Sequence, residues 1–497
     1  MKKTKILRTL TCLFALAYGA TSPNILAQEN PKEEITDPVL LSLAAGYKAT
    51  FTCSSYFLSG RTIEQINGDE LHRIYPEYRA ALAQLPAAVI DEDNKFISVH
   101  YSENYPPRIA IANDRLGCKQ LPAGLDAKSI EVTKGISGKD NIARQKQTFW
   151  PQGDKVKGRL FMNTRKGRAF KNQLARAFDR KTYGEGTETT AVLVIKDGKI
   201  IGEKYRDGFD KHTPQRTWSV AKSIAATILG AAIYDEKITL KDSNLLNQWS
   251  SANDPRRDIT LENLLHMASG LDNGPRGNRT DDIYFGGGRV IDHAATRRLI
   301  VAPGSRWYYA NNDTMLAMRT LREKMSVEED SPAAFNAYPF DALLDKIGMH
   351  HTYPETDWNG DFILSSQVYT TARDLGRLGL LYLNNGVWPY GKNEERIFPK
   401  WWADYVQTPA PSQPPDRSDG SKRFGYGAQF WLLGGFENLP DDSYAALGNR
   451  GQSLVIIPSK QLLIIRRGFD DNGGARFDVA RFASDMVSQL SDSGPGN

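Results

Sequence analysis

Apolar and polar positions divide the chain into stretches of different period. "KFISVHY" and "RIAIAND" read as short strands inside a mixed region from about Leu40 to Trp150. From about Arg159 a helical pattern leads into "TTAVLVIKDGKIIGEKYRDGF", two apolar runs around Asp197-Gly198. An Asp-Gly pair between two such runs predicts a tight hairpin. "TWSVAKSIAATILGAAIY", Thr217 to Tyr234, turns almost wholly small and apolar after its first few residues and reads as a buried helix. A helix-rich middle then runs to about Gln407. It includes "ITLENLLHMASGL" and "TTARDLGRLGLLYLNNG", with apolar residues at helical spacing. The Pro-rich, charged "TPAPSQPPDRSDGSKR" reads as a loop. After it come the strand-like "GYGAQFWLL", "SLVIIP" and "QLLIIRRG", and an amphipathic helix from about Ala475. No internal repeat is present.

This order predicts an α/β fold. Strands ahead of the Thr217 helix and strands near the C-terminus can join one antiparallel sheet flanked by helices. The helical middle forms a lobe beside it, with a cleft between, and the 40–150 region is an addition ahead of a main domain spanning about 159–491. A chain of 497 residues is long enough for both parts, and an apolar share of 40% is that of a globular protein.

Charge narrows the field only slightly. The formal net charge is +5, and four of the positive charges are Lys2, Lys3, Lys5 and Arg8, with no acid among the first 27 residues. The remainder is nearly balanced, so the basic excess points to no acidic partner. No basic run carries interleaved aromatics, and no nucleic-acid role is expected. The same four cations precede "LTCLFALAYGA", an apolar stretch too short for a typical membrane span. Residues 1–27 therefore read as an export signal, cleaved after Ala20 or Ala27, with an uncleaved anchor as the alternative. The expected location is periplasmic or secreted. Removing Cys12 with the signal leaves Cys53 and Cys118. In an oxidising compartment these can pair; two separate buried thiols are the other reading.

The Thr217 helix raises the chemical question. It carries Ser219 and Lys222, three apart and so on one helical face. A Ser hydroxyl needs a neighbouring base to act as a nucleophile. The helix N-terminus and burial both disfavour a protonated Lys, and a neutral Lys can take the Ser proton. A Ser at this place also serves as an ordinary helix cap. Downstream, Tyr309 and Asn311 precede an apolar helical run; a phenol can relay protons and an amide can orient Lys or substrate. An aromatic packed in a loop and an Asn cap would look the same. Further on, "LGNRGQSLVIIP" sets a Gly-rich turn before a strand, where a small residue permits close approach of a substrate. An ordinary hairpin turn would also look like this. The seven His residues match no zinc-binding spacing; His266, His350 and His351 are expected to be structural.

Taken in this order, the three pieces resemble the serine hydrolases of the penicillin-binding-protein and class C β-lactamase fold. Ser219-Val220-Ala221-Lys222 matches the family's S-x-x-K, Tyr309-Ala310-Asn311 its Y-x-N, and Asn449-Arg450-Gly451 falls where the family has K-T-G or H-x-G. "ENLLHMASGL" and "TTARDLGRLGLLYLNNG" are also similar to family segments. The resemblance runs from about Thr187 to the last helix and is nearest to the esterases and 6-aminohexanoate-oligomer hydrolases. It implies an acyl-enzyme on Ser219, with Lys222 as base and Tyr309 as proton relay. Asn311, Asn449, Gly451 and Gln452 would then meet the substrate. The backbone N–H groups of Ser219 and Gln452 would hold the oxyanion. No metal or cofactor is implied; the partner is a small ester, amide or peptide substrate.

Asn449 departs from the family's Lys or His and supplies no charge for a substrate carboxylate. Arg450, if on a strand, would face away. This favours neutral substrates over the β-lactam and D-Ala-D-Ala alternatives. A catalytically weak binding or sensor protein of the same fold is the remaining reading.

Overall fold

A computed structural model describes residues 35–126, 139–274, 280–329 and 332–492. The export signal expected over residues 1–27 lies outside them. From Asp37 onward the chain forms one compact unit.

The predicted hairpin is Thr189–Lys196 paired with Lys199–Tyr205. Its two turn residues, Asp197 and Gly198, have φ of 51° and 74°. Two left-handed residues match the twist of the flanking strands, which is why Asp-Gly suits this turn. The hairpin completes a seven-stranded sheet with C-terminal strands, in the order Gly425–Tyr426, Trp431–Leu432, Tyr444–Gly448, Gln452–Ile457, Leu462–Gly468, Thr189–Lys196, Lys199–Tyr205. Every pairing in it is antiparallel.

Alternation along the strands sends side chains to two faces. Val192, Val194, Leu462 and Ile464 meet Phe170 and Leu174 of the helix Arg168–Arg176 and Phe482 and Met486 of the helix Val479–Asp492. On the opposite face Ile195 and Leu463 meet the helix Ala372–Leu383 at Gly376 and Gly379. A Cβ on Gly376 would stand 2.6 Å from Ile195 Cδ1, and one on Gly379 2.8 Å from Leu463 Cδ1, so the lack of one at both positions lets the helix lie this close to the sheet. The helix Val220–Tyr234 also packs against this side, on the strands Tyr444–Gly448 and Gln452–Ile457. It is buried continuously from Val220 to Ala232. The helix Asn311–Glu329 packs on it in turn.

The N-terminal region is a helix, Pro38–Cys53, laid on a four-stranded antiparallel sheet of Val89–Asp91, Phe96–Val99, Arg108–Ala112 and Cys118–Gln120. The second and third strands are the two read from the sequence. The side chain of Asp37 caps the helix by accepting from Val39 N at 2.9 Å. At the other end Cys53 forms a disulfide with Cys118, which settles the open question about these two thiols and staples helix to sheet.

Candidate active site

The strand Gln215–Arg216 leads into a tight turn at Thr217–Ser219 and then into the helix Val220–Tyr234. Trp218 adopts φ of 50°, a left-handed conformation rare for a bulky side chain. Ser219 takes the N-cap position, but its hydroxyl makes no cap hydrogen bond. The ordinary reading of this Ser as a cap is therefore not what the fold uses.

The hydroxyl faces Lys222 instead, with Ser219 Oγ 3.4 Å from Lys222 Nζ. Lys222 is 1% exposed. Its Nζ donates to Asn311 Oδ1 and to the backbone carbonyl of Ser365, each at 2.6 Å. Burial holds the Lys222 amine well below its ordinary pKa, and the charge of Asp313 offsets only part of that. A neutral amine has two hydrogens and one lone pair; in that form the two carbonyl oxygens would take the hydrogens and leave the lone pair for the Ser219 hydroxyl.

Tyr309 closes the group. The centre of its ring is 5.0 Å from Lys222 Nζ. Burial pushes the phenol pKa up, partly offset by hydrogen bonding toward Ser219 and Trp431, so at rest it carries its proton. Tyr309 belongs to an aromatic wall with Trp307, Tyr426 and Trp431, backed by Met267.

The third motif is the turn ahead of a strand that the sequence predicts: Asn449–Gly451 is a tight turn between two strands, with Arg450 at φ 55° and Gly451 at φ 79°. The backbone set against Ser219 is Gly448, the last residue of the preceding strand. A Cβ there would stand 2.3 Å from Thr217 O and 3.2 Å from Ser219 N. Gln452 pairs with Gly448 one strand further into the sheet. Its amide donates to Gly468 O at 2.5 Å and Arg450 O at 3.2 Å, and accepts from Arg467 Nε at 2.7 Å. Gly451 is needed for a different reason from substrate access: a Cβ on it would overlap the Arg466 guanidinium. Arg450 does turn away from Ser219, but through the left-handed turn and not through strand alternation. Its guanidinium is buried among backbone carbonyls. Asn449 keeps its side chain local, with Oδ1 accepting from Arg450 N at 2.9 Å. The structure thus brings Ser219, Lys222, Tyr309 and Asn311 together, and sets the backbone of Gly448 close against Ser219.

A sequence model described as Beta-lactamase matches residues 174–466, more than half of the chain and all of this constellation. The chain belongs to the beta-lactamase family. The 6-aminohexanoate-dimer hydrolase of Paenarthrobacter ureafaciens is 23% identical over 309 residues, covering 57% of this chain and 73% of that protein. Among solved structures, a putative beta-lactamase from Bacteroides dorei superposes with a TM-score of 0.52 at 19% identity, over 65% of this chain and 98% of its own. A family VIII carboxylesterase does so with a TM-score of 0.51 at 13% identity, over 69% and 100%. At these identities the two structures show the beta-lactamase-like fold. The family match begins after the disulfide-stapled region, which is an addition to it.

Three groups at the site had no sequence signal or were passed over. The Ser365 carbonyl is backbone, and its Oγ lies 2.6 Å from Tyr284 OH. Gly448 lies one residue before the matched triplet. Asp313, two residues after Asn311, read only as part of a helix start. It is buried, bonded to Ser269 Oγ at 2.8 Å, and pushed up to about 7 by burial. Of the histidines expected to be structural, His266 lies against the Tyr405 ring, and His350 Nδ1 is 3.1 Å from Asp345 Oδ1. Among the described residues no group of three or more His, Cys, Asp and Glu is arranged to hold a metal, and no helix is long and apolar enough to cross a membrane.

Proposed function

We propose that this beta-lactamase-family protein is an exported serine hydrolase that cleaves a neutral ester or amide through an acyl-enzyme on Ser219. The observation that carries this is Lys222, buried, with Nζ 2.6 Å from the oxygens of Asn311 and Ser365 and 3.4 Å from Ser219 Oγ, and its pKa held down by burial, an arrangement that suits a neutral amine acting as base.

Lys222 Nζ takes the Ser219 proton as Oγ adds to the substrate carbonyl carbon. The oxyanion that forms lies at the N-terminus of the helix Val220–Tyr234, where the backbone N–H groups and the helix dipole favour negative charge. The Ser219 N–H would be one donor, and the close approach of the Gly448 backbone to Ser219 supports a second from that strand end. Tyr309 passes its proton to the leaving oxygen or nitrogen and is reprotonated from Lys222. The C–O or C–N bond breaks and the acyl group stays on Ser219. Water then attacks the acyl carbon while the same groups take its proton and return one to Ser219 Oγ.

The substrate class follows from what surrounds Ser219. The aromatic wall offers apolar surface. Asn449 carries no charge, and Arg450 is committed to backbone carbonyls. The similarity to a hydrolase of 6-aminohexanoate dimer supports amide-bond substrates as well as esters. The basic-then-apolar lead of residues 1–27 and the disulfide support export to an oxidising compartment. The test is hydrolysis of a p-nitrophenyl ester together with fluorophosphonate labelling. Ser219→Ala should abolish both while the protein stays folded by circular dichroism. Full turnover in Ser219→Ala would assign the nucleophile elsewhere.

A further inference from the structure

The region ahead of the family match touches the catalytic turns at three places. Arg450, two residues beyond Gly448, sends its guanidinium into that region and donates to Asp69 O at 3.0 Å, Glu70 O at 3.2 Å and His72 O at 2.9 Å. It also donates to Asp470 O at 3.1 Å and Phe469 O at 3.3 Å on its own side. A guanidinium has five N–H groups in a fixed fork, and carbonyl oxygens from two parts of the chain share them.

The second contact is at the nucleophile. Trp218 holds its left-handed backbone with its ring packed 5.8 Å from Phe51 and 6.0 Å from Tyr75, centre to centre. The Arg216 guanidinium lies 4.3 Å from the ring centres of both Phe51 and Trp218. Strained backbone of this kind persists only where surroundings enforce it. The third contact is behind the base. Phe285 packs on Tyr47 and Phe51, and its neighbour Tyr284 hydrogen-bonds Ser365, whose carbonyl receives Lys222.

Ser219 is therefore one residue, and Gly448 two residues, from a group resting on the N-terminal region, and Lys222 is linked to it through Ser365, Tyr284 and Phe285. We propose that Arg450 is a positioning residue, which locks the turn 449–451 to residues 69–72 and so keeps Gly448 against Ser219. The disulfide-stapled region is then a working part of the catalytic unit and not an appendage. The catalytic half of this inference rests on Ser219 being the nucleophile.

The test uses Arg450→Ala and Arg450→Lys in the full protein. The readouts are kcat and KM for a neutral p-nitrophenyl ester and amide hydrogen exchange at 217–222 and 447–452, with Val192–Ile195 as the reference. Arg450→Ala should lower kcat by about tenfold to a hundredfold, the scale of a small misplacement of reacting groups, with KM changed much less. Exchange should quicken at the two active-site segments and not at the reference. Millimolar guanidinium should restore part of both, whereas urea, with the same shape and no charge, should not. Arg450→Lys should fall between, and it carries the same comparison if the Ala variant does not fold. Quickened exchange with wild-type kcat would overturn the positioning role. So would a lost kcat with unchanged exchange and no rescue by guanidinium. If wild-type protein takes no fluorophosphonate at Ser219, the nucleophile reading fails on its own, and exchange alone then decides whether Arg450 holds the turn.

Discussion

Asn311 Oδ1 lies 2.6 Å from Lys222 Nζ and takes one of its hydrogens. An amide oxygen can do this without adding charge, so burial is left free to hold the amine pKa down. Asn311→Asp should change that. A carboxylate at this distance favours the ammonium form, typically by about 1–3 pKa units. Because the base must be neutral, activity rises with pH through the Lys222 pKa. The acidic limb of kcat/KM should therefore move to higher pH in Asn311→Asp, with activity at neutral pH falling accordingly. A limb that stays in place, or moves to lower pH, would mean that Lys222 is not the group being titrated.

Gly448→Ala tests the contact between sheet and nucleophile turn. The new methyl would lie 2.3 Å from Thr217 O, against backbone that cannot swing aside. Overpacking of this kind costs roughly 1–3 kcal/mol. Ester hydrolysis should fall by more than the melting temperature alone explains. Gly379→Ala, beside Leu463 on the sheet, should instead show mainly in stability. Equal activity loss per degree of melting in the two variants would remove the special place given to Gly448.

The disulfide closes a loop over a sequence separation of 65. In the chain-entropy model a loop of that size contributes about 4 kcal/mol. The double variant Cys53→Ser/Cys118→Ser should lose stability on that scale in urea titration. Denatured, unreduced mature protein should show no reactive thiol at either position; two free thiols there would refute the pairing.

Substrate charge is a fourth variable. Asn449 cannot ion-pair, and Arg450 is held among the carbonyls of Asp69, Glu70 and His72. Charge-assisted hydrogen bonds contribute roughly 1.5–3 kcal/mol where they exist. Without one, a neutral ester should be cleaved at least as well as a carboxylate-bearing substrate of similar size, and Asn449→Lys should shift the ratio toward the carboxylate. A wild-type kcat/KM about tenfold higher for the carboxylate form, worth about 1.4 kcal/mol, would point to a β-lactam or peptide substrate and another cation at the site.

Local spacing made half of this site readable. Ser219 and Lys222 sit on one helix three residues apart, and Tyr309 and Asn311 flank another helix start, so each pair is fixed by a single element. The hairpin at Asp197-Gly198 was readable for the same reason, and the joining of early and late strands from the order of elements along the chain. In the third motif Arg450 faces away as expected, but through a left-handed turn, which breaks the period of two, and not through strand alternation. The helix Pro38–Cys53 gave no amphipathic stripe, since from Ala44 onward nearly every residue is buried. Contacts such as Arg450 to residues 69–72 and Ser365 O to Lys222 join distant backbone, which leaves no mark in side-chain pattern.

The most direct measurement is mass spectrometry of the protein quenched during turnover of a neutral ester. An acyl mass should appear on the peptide carrying Ser219, vanish in Ser219→Ala, and form more slowly by about a hundredfold or more in Lys222→Ala, as expected for loss of a positioned general base. Steady hydrolysis with no adduct on Ser219, or an adduct on another residue, would contradict the Ser219–Lys222 mechanism.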